Sequence, residues 1–88
     1  MGMSRQGFLR RLRDAKAVNC TYLRGESAGL ISAWGHGGWF VLTWEECPVG
    51  NQYDESMYSR DERHEFATAE EVLTFVELGG YPASAFGP

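Results

Sequence analysis

Four side chains in this chain of 88 residues could ligate a soft metal or pair a nucleophile with a base: His36, His64, Cys20 and Cys47. None of them stand at zinc-type spacing. The strand assignments below also separate them, with Cys20 facing a core, His36 at a hairpin tip and His64 on another strand. A Cys47 thiolate working with a histidine is opposed by Glu45 and Glu46, whose negative charge raises a neighbouring thiol pKa. Glu45, Glu46, Asp54, Glu55, Asp61, Glu62 and Glu65 could supply paired carboxylates for acid–base chemistry. A solvated acidic surface accounts for them more simply, and one small layered domain offers no evident deep pocket. Gly35-His36-Gly37-Gly38 has the composition of a phosphate loop, but a strand follows it where a phosphate cradle needs a helix N-terminus. The expectation is a non-enzyme with no catalytic residue, no metal ligand and no cofactor.

The elements that position these side chains are organised around Gly29–Glu46. Gly35-His36-Gly37-Gly38 is a turn signal between two runs rich in Ile, Trp, Phe, Val and Thr, which reads as a β-hairpin. Centring the loop there predicts Trp34 opposite Trp39, Ala33 opposite Phe40, Ile31 opposite Leu42 and Gly29 opposite Trp44. One face of the ribbon is then almost wholly apolar, while the other carries Leu30, Ser32, Trp34, Trp39, Val41 and Thr43. Val18–Arg24 alternates in the same way, and a two-residue turn at Gly25-Glu26 pairs Cys20 with Ile31 and Val18 with Ala33. Both turn assignments put the apolar side chains on one face, and a slip of one residue would turn them all into water.

Helices flank this meander. Ser4 is a candidate N-cap for a helix reaching about Ala17, with Phe8, Leu12 and Ala15 on its inner stripe. Its outer side carries Arg10 and Arg13, with Arg11 near the edge. After the third strand, Cys47-Pro48-Val49-Gly50-Asn51 opens an irregular stretch to about Glu55. Met57–Phe66 is expected as a charged edge strand with Tyr58 and Phe66 as its anchors. Thr68-Ala69-Glu70-Glu71 is a capping box, Thr68 receiving the Glu71 amide and Glu71 reaching back to the Thr68 amide. Ala69, Val72, Leu73, Phe75 and Val76 face inward from the helix it starts, and Gly79-Gly80 and Pro82 end that helix. The tail from Tyr81 to Pro88 is expected to be extended and partly mobile, with Tyr81 and Phe86 as tethers. The predicted architecture is α+β: a two-layer sandwich of helix, four-stranded antiparallel meander and helix, both helices on one sheet face.

Size and composition bound the rest. With 43% hydrophobic residues, the chain makes one domain burying about 60–65% of its unfolded surface. Met1-Gly2-Met3 has a redundant second start and is set aside. No stretch resembles a membrane span or a signal peptide, so a cytoplasmic protein with reduced thiols and no membrane contact is expected. Six of the eight basic residues lie in the first twenty-four positions beside a single acid, and eleven acids follow them. Arg5, Arg10, Arg13 and Lys16 on the first helix therefore suggest a nucleic-acid-binding accessory protein as one alternative, opposed by the acidity of the remainder. A small-ligand cleft beside the 47–55 loop is another.

The leading expectation comes from the sheet face that the helices leave uncovered. Trp34, Trp39, Leu30 and Val41, with Leu23, form an aromatic and aliphatic patch rimmed by Glu45 and by Asp54, Glu55, Asp61, Glu62 and Glu65, the composition of a protein-binding hot spot. The tail, the long loop or a second copy of the chain could also cover it. In build, a short acidic α+β domain with a capped last helix resembles small proteins of phages and mobile elements and toxin-immunity proteins. That resemblance implies an inhibitor acting by surface occlusion or by acidic mimicry of phosphates, in the manner of an anti-CRISPR protein, and it carries no residue roles.

Overall fold

Ser4 starts the first helix by accepting the Gly7 amide at 3.0 Å, which satisfies one of the donors that a helix start leaves unpaired. The computed structural model describes residues 2–51 and 54–88. Helix α1 (Arg5–Arg13) is followed by strands β1 (Val18–Arg24), β2 (Ser27–His36) and β3 (Trp39–Pro48). A short 3-10 turn (Glu55–Met57), β4 (Arg60–Phe66), α2 (Ala69–Leu78) and a second 3-10 turn (Ala83–Ala85) complete the chain.

Helix α1 stops a turn earlier than its hydrophobic spacing predicts. Asp14 donates to the Arg10 carbonyl, and Lys16 donates across the turn to Arg11 at 2.9 Å, while Ala15 adopts a left-handed φ of 58°. This is a helix-ending arrangement in which glycine usually holds the left-handed position. Ala15 is exposed in consequence, so Phe8 and Leu12 carry the buried stripe without it.

The four strands form one antiparallel sheet in sequence order. The first hairpin has the register expected, with Val18 opposite Ala33 and Cys20 opposite Ile31. The second is displaced by two residues from expectation: Trp34 lies opposite Val41, Ala33 opposite Leu42, Ile31 opposite Trp44 and His36 opposite Trp39. Its turn is the two residues Gly37-Gly38, both at positive φ (58° and 87°), a tight turn whose twist matches that of the flanking strands. A displacement of two restores every side chain to its original face, so Ile31, Ala33, Leu42 and Trp44 still point at the helices.

Both helices lie on that face, side by side. Phe8 and Leu12 from α1 and Ala69, Val72, Leu73 and Val76 from α2 close over Val18, Cys20, Ile31, Ala33, Leu42 and Trp44. Thr68 caps α2 by accepting the Glu71 amide at 3.2 Å, but Glu71 accepts from the Thr68 hydroxyl and not from its backbone amide. The tail is more ordered than its composition suggests. Phe86 is buried edge-on against Phe8, Tyr81 packs on Tyr22, and Gly87 exchanges two 2.8 Å backbone hydrogen bonds with Asn19 on the outer edge of β1. Strand β4 begins at Arg60, after the 3-10 turn, and both Tyr58 and Phe66 are only half-buried. Among the described residues no helix is long and apolar enough to cross a membrane.

Candidate partner-binding face

With helices and tail on one side, the other face of the sheet is uncovered among the described residues. The register sets five rows of side chains across it, beginning with Leu23, Ala28 and Cys47. Thr21, Leu30, Glu45 and Asp61 form the second row; Asn19, Ser32, Thr43 and Arg63 form the next. Then come Trp34, Val41 and Glu65, and last His36 and Trp39.

The four apolar residues expected on this face are all there, in unequal states. Trp39 is 57% exposed and Leu30 36%, whereas Trp34 is half-buried and Val41 only 1% exposed. Val41 lies outside the main core cluster; a large ring on Trp34 directly opposite suits it to shelter Val41. The two tryptophans are diagonal neighbours, not a cross-strand pair. Leu23, 76% exposed, extends the patch along β1.

Beyond Leu30 the face sinks into a groove of about 740 Å³, with Leu23, Ala28, Leu30, Cys47, Glu45 and Tyr58 around it. Of the 47–55 loop, beside which a small-ligand cleft is expected, only Cys47 lines this groove among the described residues. Cys47 is buried here on the open side of the sheet, and Cys20 is buried on the helix side, where burial pushes its thiol pKa up. Both are free thiols, and at Cys20 burial disfavours the thiolate.

The acids divide. Asp61 and Glu65 lie on the open face with Arg63 between them along β4. Asp54 caps the 3-10 turn, accepting from the Ser56 amide at 3.1 Å and from its hydroxyl at 2.6 Å, and Glu55 stands exposed in that turn. Glu62 does not belong with them. It points to the helix side, where His64 Nε2 lies 2.9 Å from one of its carboxylate oxygens and Arg60 Nε 2.7 Å from the other. Alternation along a strand dictates that outcome, because 61 and 62 cannot share a face.

The basic stripe of α1 is also partly engaged. Arg5 pairs with Glu77 at 2.7 Å and Arg13 with Glu70, so α2 supplies the counter-charges. Arg11 Nε donates to the Ala17 carbonyl. Arg10 and Lys16 stand exposed without an ion pair among the described residues. Likewise, no group of three His, Cys, Asp or Glu side chains that could hold a metal is found there.

Sequence reasoning missed a polar cluster at the end of the sheet beyond α2. The Trp44 indole donates to the Tyr22 hydroxyl at 2.9 Å, and that hydroxyl donates to Glu46 at 2.5 Å. Arg24 donates to the Tyr81 hydroxyl at 2.6 Å, and the Arg60 guanidinium lies 3.5 Å from the Trp44 ring centre. The available signal was Gly29 opposite Tyr22 in the first hairpin: a glycine facing a tyrosine leaves room for the ring to lie across the strand. No protein-family model matches this chain, and no curated protein or solved structure is significantly similar to it.

Proposed function

We propose that this protein is a small non-enzymatic binding factor, of the inhibitor or immunity type, that covers part of another protein's surface with the open face of its sheet. The carrying observation is the one-sided placement of both helices and the tail. It leaves Leu23 and Leu30 exposed at one end of the four-stranded sheet and Trp39 exposed at the other. Exposed leucines at one end of a sheet face and an exposed tryptophan at the other favour contact with a protein that spans the face. Occlusion suits this face better than phosphate mimicry, because Glu62 is turned away and Arg63 interrupts the Asp61–Glu65 line. A bacterial defence complex silenced by a mobile element is one setting such a factor fits.

The test is affinity capture with mass spectrometry, comparing the native chain with Trp39→Ala/Leu30→Asp and with Arg10→Ala on the helix side. A partner retained by the native chain and Arg10→Ala but lost with the double substitution supports the reading. Identical capture by all three sinks it.

A further inference from the structure

Glu45 and Asp61 stand directly opposite each other on adjacent strands of the open face. Like charges so placed repel, a cost that natural sheets usually avoid or neutralise. Among the described residues no ion pair relieves it: Arg63, the next base along β4 on that face, bridges neither acid, and Arg60 belongs to Glu62 on the far side. Glu55 adds a third carboxylate nearby. The same gathering is visible at Tyr58, whose phenol is pushed above its ordinary pKa by partial burial and then by Glu45, Cys47, Glu55 and Asp61. Among the described residues these acids do not gather as metal ligands. They adjoin the groove instead, Leu30 being the direct cross-strand neighbour of Glu45.

An apolar hollow therefore passes into an unneutralised pair of carboxylates along one row, Leu30 to Glu45 to Asp61. Strands lie about 4.8 Å apart, so the hollow and the charge pair are separated by roughly 5–10 Å. One short segment of a protein can present an aliphatic or aromatic side chain and a base at that separation. Among the described residues no basic side chain lines the groove to repel it.

We propose that this row is the specificity element of the open face: it receives a partner segment that seats a large apolar side chain against Leu23, Leu30 and Cys47 and lays a lysine or arginine on the Glu45–Asp61 pair. The proposal rests on the open face being a protein-binding surface and adds which chemistry it selects. The guanidinium or ammonium relieves the repulsion only when bound, so charge here contributes to choosing the partner as well as to speeding its approach.

The probe is a short capped peptide with leucine and phenylalanine flanking arginine, titrated to millimolar concentration against the ¹⁵N-labelled full chain, beside the same peptide with citrulline in place of arginine. Shifts are expected to concentrate at Leu23, Leu30, Glu45, Cys47 and Asp61. The citrulline peptide should bind at least about five-fold more weakly, and Glu45→Gln/Asp61→Asn, checked for an otherwise native spectrum, should erase that difference. Equal binding of both peptides, shifts centred elsewhere, no shifts, or dilution-dependent shifts without peptide, which would mean a second copy, each overturns the proposal. If the Trp39/Leu30-dependent capture persists while this fails, the open face stands and only the assigned selectivity falls.

Discussion

The Tyr22 hydroxyl donates to Glu46 at 2.5 Å while accepting from the Trp44 indole at 2.9 Å, which ties β1 to β3 across the helix side of the sheet. Tyr22→Phe would leave a buried indole donor without its partner and is expected to cost about 1–3 kcal/mol. The phenol pKa is pushed up to about 12, by burial first and then by the bond to Glu46. An unfolded tyrosine releases its proton near the ordinary value of 10.0, so this contribution is complete below that pH and is lost as pH rises through about 12. Urea midpoints between pH 9 and 12 should fall more steeply for the native chain than for Tyr22→Phe.

Ala15 supplies a second test. Its left-handed φ of 58° at the end of α1 costs a residue with a Cβ about 1 kcal/mol that glycine avoids. Ala15→Gly is therefore expected to stabilise the protein by about 0.5–1 kcal/mol in thermal unfolding, against the usual penalty for glycine near a helix. A loss of stability would mean that the helix ends elsewhere.

Glu62 predicts the acid limb. Its carboxyl is held below the ordinary 4.5 by the hydrogen bond to His64, which outweighs desolvation, with Arg60 adding to the lowering. The stabilisation is complete above 4.5 and fades as pH falls through the depressed value. The side chain is 36% exposed, so solvent screening limits the effect to under about 1 kcal/mol. Glu62→Gln should flatten the pH dependence of the urea midpoint below 4.5, and an unchanged acid limb would remove the assignment.

Trp34 and Trp39 separate stability from binding. Trp39 is largely exposed, so Trp39→Ala is expected to change stability by no more than about 0.5 kcal/mol. Trp34 is half-buried opposite a sealed Val41, and Trp34→Ala should cost about 1–3 kcal/mol by uncovering it. Calorimetry of the two variants checks the order, and equal losses would contradict it.

Arg5 and Arg13 predict a negative result with nucleic acid. Both are paired with α2 acids, which leaves Arg10 and Lys16 too sparse for a phosphate track. Labelled duplex and single strands titrated at two salt concentrations should show no salt-sensitive binding, and a steep salt slope would revive the helix as an interface.

Much of the fold was legible because alternation and turn chemistry act over a few residues. Val18, Cys20, Ile31 and Leu42 reveal their facing without knowledge of the rest, and Thr68 announces α2. What escaped depends on contacts made at long range. The register between Trp34 and Val41 turned on which glycines close the turn, and Gly35 and Gly37 suit a turn equally well in composition. Ala15 gave no sign of leaving the helix, since its partners in the turn are backbone groups. The tail looked loose because its anchors, Tyr81 and Phe86, find Tyr22 and Phe8 at the opposite end of the chain. On the candidate face, the tryptophans were readable by parity, whereas the groove needed Tyr58 and Cys47 brought together from different segments.

The Gly37-Gly38 tip has a bearing on how this chain can tolerate length change. Because Leu42 and Trp44 are sealed beneath the helices, the facing of β3 is held by burial and not by the length of its turn. One added glycine at the tip should therefore be absorbed as a three-residue loop with a left-handed bulge, leaving Trp39, Val41 and Glu45 on the side they now occupy.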